Sequence, residues 1–306
     1  MPAGPLSVGF SPITFNNEDL ATRDGRGRRS PIPFGTVLDH VARLGFTGTE
    51  RGSYFPDDGS DARAACGERG LTLVGAWCGM ALSTEGSEEA DLGAVRAVAE
   101  YVARAGGSYV NLAHSGNPER RRAAGVADGE GVARLDAAGW QCVSDRVNRA
   151  GEICHARGVE ATFHPHAGTW IETRAEIDQL MRLTDPALVS LCFDVGHAIV
   201  GGMDPVETLI AHAERVRYLH VKDVDPAVLA GVKRDRPGFE GALERYVFTE
   251  LGRGALDLPA LARALDRIGY AGWLMVEQDT SRLAPEEAAA VARAALTAVG
   301  LMRTKG

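Results

Sequence analysis

The stretch VSLCFDVGH, residues 189–197, decides the fold. Its mainly apolar first half ends in Asp194, and a second such run, RYLHVKD at 217–223, brings His220, Lys222 and Asp223 to its own end. Working outward, EATFHPH (160–166) ends in His164 and His166, and WLMVE (273–277) ends in Glu277. Strands of a parallel sheet are buried on both faces and read as near-continuous apolar runs, so a polar residue closing each run marks where burial stops. In a barrel of alternating strands and helices that edge is the C-terminal mouth, where catalytic residues gather.

The rest of the chain supplies the remaining units. Strands are predicted at Ser7–Phe10, Gly48–Glu50, Leu71–Trp77, Tyr109–Leu112, Glu160–His164, Val189–Asp194, Val216–Val221 and Trp273–Glu277. Helical periodicity falls at Pro33–Arg43, Asp61–Glu68, Glu88–Ala105, Val132–Arg157, Arg174–Leu183, Pro205–His212, Leu258–Ile268 and Pro285–Val299. This alternation predicts an α/β fold, a single (β/α)8 TIM barrel with residues 1–306 as one domain. Helix starts carry their own signals: Asp204-Pro205-Val206-Glu207, the capping-box spacing Thr173 to Glu176, and Ala284-Pro285-Glu286-Glu287. Two connections are long. Residues 113–130 read as a polar, glycine-rich loop, and 224–256 exceed an ordinary strand-to-helix turn, which predicts a lid or substrate wall over the mouth.

Composition narrows the function classes. The chain has 306 residues, is 45% hydrophobic and 24% charged, and carries a formal net charge of −8. That balance offers no footprint for nucleic acid or anionic membrane; the one basic run, Arg23 to Arg29, reads as a solvated loop. Five scattered cysteines without a CxxC pair predict reduced thiols. With no basic flank and apolar core at the N-terminus and no long apolar span, a cytoplasmic protein is expected. Nucleotide-binding glycine motifs and a GxSxG elbow are missing.

The strand ends carry the chemistry. Alternation places Thr162, His164 and His166 on one face of an extended strand. Asp194 after an apolar run needs a partner or a metal to be buried, unless it serves as a helix cap. Lys222 in a barrel mouth needs a counter-charge, whereas Asp223 reads as a solvated or capping residue. His197 lies three residues past Asp194 and leans over the same mouth or faces solvent. Glu50 ends its strand in the same way; it lies too far round the ring to join the others and suits substrate hydroxyls. Trp77 reads as an apolar substrate wall or as core. Imidazole and carboxylate donors without cysteine favour Mn²⁺ or Co²⁺, with Mg²⁺, Fe²⁺ and Zn²⁺ as alternatives.

Taken together these segments resemble the xylose-isomerase-like TIM-barrel superfamily, with the nearest likeness to its inosose (2-keto-myo-inositol) dehydratases. The likeness runs through Ser11-Pro12-Ile13, the segment from Gly45 to Glu50, Tyr54-Phe55-Pro56, Gly75-Ala76-Trp77, the segment from His164 to Thr169, the segment from Phe193 to His197, the segment from His220 to Asp223, the segment from Gly254 to Asp257 and the segment from Gly272 to Glu277. The resemblance implies one metal held by Asp194, His220 and Glu277, with His164 where the superfamily has its first glutamate and Thr162 as the other register. Epimerases of this kind use two metal-bound glutamates; this chain keeps one. A departure is Leu251-Gly252-Arg253-Gly254, where the dehydratases more often have Pro-Gly-Asp-Gly.

The expectation is a metal-dependent lyase that dehydrates a keto-polyol such as inosose through an enediolate. Glu277, Lys222 or His166 is the base and His197 the leaving-group acid, while Glu50, Trp77 and His166 contact substrate. The alternatives are an isomerase or epimerase on the same metal, a repair endonuclease disfavoured by charge, and a non-catalytic sugar-binding barrel. A homo-oligomer is compatible with the sequence.

Overall fold

The computed structural model describes residues 6–17, 31–82 and 87–303. The basic run from Arg23 to Arg29 lies outside the described residues. Eight parallel strands close a barrel: β1 (Ser7–Phe10), β2 (Gly48–Glu50), β3 (Thr72–Met80), β4 (Tyr109–His114), β5 (Glu160–Phe163), β6 (Val189–Asp194), β7 (Val216–Val221) and, last in the chain, β10 (Trp273–Val276). β10 closes the ring between β7 and β1, pairing Trp273 with Tyr218 and Phe10 with Val276. All eight strands stand where the sequence places them. β3 and β4 run further towards the mouth than expected, while β5 and β10 each stop one residue short.

The barrel interior is filled rather than hollow. Val74, Cys192, Tyr218 and Met275 pack together inside it. A Cβ on Gly9 would strike the Met275 side chain and the Gly48 carbonyl, and one on Gly48 would strike Trp273. These glycines are fixed by close approach, since an eight-stranded barrel leaves just enough room for its own side chains. A larger apolar layer, including Leu38, Val95, Val147, Leu180 and Leu261, joins strands to the surrounding helices. The expected caps hold: Thr173 and Glu176 form the reciprocal capping box, and the Asp204 carboxylate accepts from the Val206 and Glu207 amides. No helix among the described residues is long and apolar enough to cross a membrane.

Both long connections are more ordered than their composition suggests. Residues 113–130 contain the end of β4 and a helix at Pro118–Arg122. Residues 224–256 hold helices at Pro226–Asp235 and Gly238–Glu244, and a two-stranded antiparallel ribbon of β8 (Asp223–Val224) and β9 (Phe248–Thr249). Arg121 joins the two connections, ion-paired to Glu240 and lying over the Phe239 ring. Asp223 corrects its sequence reading, because it is buried and not solvated. Its carboxylate accepts from the amides of Val224, Gly252, Gly254 and Leu256, and so pins the far end of the segment to β7. A Cβ on Gly254 would collide with that carboxylate, which is why glycine stands there.

Candidate active site

Backbone ladders carry one residue past two strand ends and set the register of the site. The His164 amide donates to the Leu112 carbonyl, and the Glu277 amide donates to the Val221 carbonyl. Asp194 and His220 stand side by side as register partners. The four residues expected as metal ligands therefore end up as a run of neighbours at the mouth. The Asp194 Oδ2 lies 3.5 Å from His164 Nε2 and 3.7 Å from His220 Nδ1, which is 2.6 Å from Glu277 Oε2.

Asp194 performs the capping role that the sequence left open and keeps its other oxygen free of that cap. Its Oδ1 caps the helix Val195–Val200, accepting from the Gly196 and His197 amides at 2.8 and 3.0 Å. Its Oδ2 makes no well-directed hydrogen bond, and neither do His220 Nδ1 and the two ring nitrogens of His164, all buried. Buried polar atoms are nearly always partnered. Donors held at about 2.0–2.2 Å from one ion sit about 3 Å apart, so this orphaned set fits a divalent cation. Cys192, which the sequence left out of the donor set, has its sulfur within 4.8 Å of donor atoms of His164 and His220. Burial pushes its thiol up to about 11, so it stands there as a neutral S–H.

Lys222 supplies the counter-charge. Its Nζ lies 2.6 Å from Asp279 Oδ2, 3.0 Å from Glu277 Oε1 and 3.4 Å from Asp194 Oδ2. Burial would strip its proton, but Asp194, Asp279 and Glu277 outweigh that and hold it well above the usual range. An ammonium so committed has no lone pair to offer, which corrects its reading as a base. Asp279, two residues past Glu277, went unnoticed in the sequence.

The histidines divide between surface and interior. His166 lines the cavity, and its Nδ1 is 2.8 Å from the Ala167 carbonyl. Burial, then the neighbouring His164 and Lys222, lower its ring to about 3, so it is neutral. With Nδ1–H donated to that carbonyl, Nε2 carries the lone pair. His197 sits behind it, buried, with ring centroids 3.8 Å apart, and its Nε2 is 3.3 Å from Lys222 Nζ. Burial, then His166 and Lys222, keep its ring well below the normal range. His197 as direct leaving-group acid is therefore corrected: it does not line the cavity, whereas His166 does.

The cavity measures about 450 Å³ and is bounded by Glu50, Trp77, His166, Glu277, Asp279 and Phe239 among others, a volume suited to a small molecule. Trp77 is 53% exposed at the rim, so it is not core. Phe239 and Leu243 bring the 224–256 segment to the mouth, as its length suggested. Glu50 departs from expectation: its Oε1 reaches across the barrel to within 3.0 Å of His220 Nε2. Thr162, the other register for the fourth ligand, instead donates to Asn111 Oδ1 at 2.6 Å.

A family model described as xylose isomerase-like TIM barrel matches residues 38–299. The chain belongs to this family. It is 35% identical over 275 residues to an inosose dehydratase of Geobacillus kaustophilus (strain HTA426), covering 90% of this chain and 88% of that one. Another inosose dehydratase, from Clostridium beijerinckii (strain ATCC 51743 / NCIMB 8052), is 30% identical, covering 94% and 95%. Two solved structures share the fold. One is a probable 3-DHS dehydratase, AsbF, from Bacillus anthracis (TM-score 0.72, 13% identity, covering 95% and 98%). The other is the IOLI protein with a bound zinc atom (TM-score 0.71, 16% identity, covering 96% and 98%).

Within this xylose isomerase-like barrel, uptake of a cation by the expected ligands would be pH-dependent. Burial disfavours a charged His220, but the Glu277 and Glu50 carboxylates favour it, and the ring is held well above its usual range. A cation at Nδ1 must therefore displace a proton. Below the raised value, affinity is expected to fall as pH falls, by up to about tenfold per unit for one proton. Calorimetric titration with Mn²⁺ in buffers of different ionisation enthalpy checks this; a proton count of zero at pH 6 to 7 would contradict it.

Proposed function

We propose that this chain is a metal-dependent hydro-lyase that removes water from a keto-polyol, with inosose as its substrate. The observation that carries this reading is the position of His166. It is a neutral, cavity-facing imidazole just past β5, next to a four-donor cluster. The resemblance puts an epimerase's first metal-bound glutamate in this region. The inosose dehydratases that align over nearly the whole chain support the same reading.

His164, Asp194, His220 and Glu277 would hold the cation. Mn²⁺ or Co²⁺ suits this mixed nitrogen and oxygen set best, with Mg²⁺, Fe²⁺ and Zn²⁺ as alternatives. A bound divalent cation supplies Lewis-acid polarisation of the substrate ketone. His166 Nε2 takes the proton from the carbon beside the ketone, and the C–H electron pair moves towards the carbonyl. When that pair returns to form the carbon–carbon double bond, the neighbouring C–O bond breaks. His166 gives its proton to the departing hydroxyl, so one water leaves and the enzyme ends as it began. Lys222 stays charged throughout and keeps Asp194, Glu277 and Asp279 in place. Trp77 offers the polyol a flat apolar wall, and Phe239 and Leu243 select for its size. None of the five cysteines forms a disulfide, in keeping with a reducing, cytoplasmic setting.

Mass spectrometry of the Mn²⁺-loaded protein with inosose should show metal-dependent loss of one water. His166→Ala should lower turnover by at least about 100-fold, the low end for general acid–base help, with Mn²⁺ affinity retained. His197→Ala should cost less. Epimerised ketohexose with no water lost from inosose would overturn the dehydratase reading.

A further inference from the structure

We infer that Glu50 is a positioning residue for the ligand His220, fixing through its Oε1 which ring nitrogen faces the cation. The inference rests on His220 being a ligand, as proposed above.

The geometry begins with a short strand. β2 has three residues, and its register against β3 slips between Thr49 and Glu50, so that Glu50 pairs with Gly75. Such bulges re-aim a side chain; here Glu50 is buried within the barrel. Three groups converge on its Oε1: Asn111 Nδ2 at 2.9 Å, Tyr218 OH at 3.0 Å and His220 Nε2 at 3.0 Å. The direction of the first is fixed independently. Thr162 Oγ1 donates to Asn111 Oδ1 at 2.6 Å, and this leaves the amide NH₂ pointing at Glu50. Oε1 is thus an acceptor already served by an amide and a phenol, and His220 meets it with Nε2–H. The lone pair of a neutral His220 then lies on Nδ1, the atom that faces Asp194 Oδ2 and Glu277 Oε2. A carboxylate behind a histidine fixes tautomer and ring orientation in this way. An oxygen with three donors has little capacity left for a substrate hydroxyl.

Two variants separate position from charge. Glu50→Gln keeps the length and a carbonyl acceptor, whereas Glu50→Asp keeps the charge but falls short of the ring. Calorimetric titration with Mn²⁺, without substrate, should show Glu50→Asp weakened by about 10- to 100-fold, the usual cost of losing such a partner. Glu50→Gln should lie nearer wild type. At saturating Mn²⁺ the KM for inosose should be unchanged in both. Unaltered Mn²⁺ affinity in Glu50→Asp, or a raised KM with intact affinity, would overturn the inference while leaving the proposed reaction standing. If the wild-type protein takes up no Mn²⁺ or Co²⁺, the ligand assignment and this inference fall together. Circular dichroism of both variants confirms that the comparison is between folded proteins.

Discussion

Asp194→Asn should abolish cation binding and lower water elimination by at least about 10³-fold, the equivalent of the several kcal/mol that Lewis-acid polarisation contributes. The substitution is informative because Asp194 divides its two oxygens. Oδ1 caps the helix Val195–Val200, and Oδ2 faces His164, His220 and Lys222. Asparagine caps a helix as well as aspartate does, so its carbonyl can keep the Gly196 and His197 amides. What it removes is the negative charge and the second acceptor. The expected result is a protein with a near-normal unfolding midpoint, no calorimetric uptake of Mn²⁺ and almost no product. Turnover within tenfold of wild type would remove Asp194 from the centre. Loss of fold together with loss of activity would show that the cap, and not the charge, dominates here.

Arg120→Ala should destabilise the protein by about 3–5 kcal/mol, the range for breaking one side of a buried ion pair. Arg120 is 0% exposed, although it lies in the polar run 113–130. Its two terminal nitrogens meet the two oxygens of Glu176 at 2.8 and 3.0 Å, and Nη1 also donates to the Ala133 carbonyl. Glu176 is already in use as the capping-box acid, accepting from the Thr173 and Glu172 amides. Without the guanidinium it stays buried with its charge unmatched. Urea unfolding measures the difference. Replacing both partners, Arg120→Met with Glu176→Gln, should recover part of it, because an apolar and neutral pair carries less desolvation cost. A loss below about 1 kcal/mol, as for an exposed pair, would contradict this account.

The barrel and the polar residues at its mouth were largely legible in the sequence because parallel strands are apolar until they reach the mouth. Asp194, His220 and Glu277 each interrupt such a run, and β5 delivers His164 by the same rule. Glu50 resisted this reading. Sequence order places β2 far from β7, and only the narrow interior of an eight-stranded barrel lets one side chain cross to the other. Asp279 follows its strand in irregular backbone, where alternation gives no guide. The ordering of 224–256 was legible in part: Asp225-Pro226 repeats the start signal of Asp204-Pro205, and its carboxylate caps the Ala227 and Val228 amides. The Asp223 clamp was not legible, because three of its four donors, the amides of Gly252, Gly254 and Leu256, come from a turn some thirty residues away and that pairing is tertiary.

Lys222 has a bearing on how the enzyme acquires its metal in a cell. With one ammonium among the three carboxylates of Asp194, Glu277 and Asp279, the cluster is partly charge-compensated before any cation arrives. The barrel is then expected to fold without metal on its extensive apolar core, in contrast to small domains that assemble only around their ion. Newly made protein would then wait empty, and loading would follow whichever divalent ion is supplied in usable amounts, since intrinsic affinity alone discriminates poorly among them. Activity would then track metal nutrition over the lifetime of each molecule, without new synthesis.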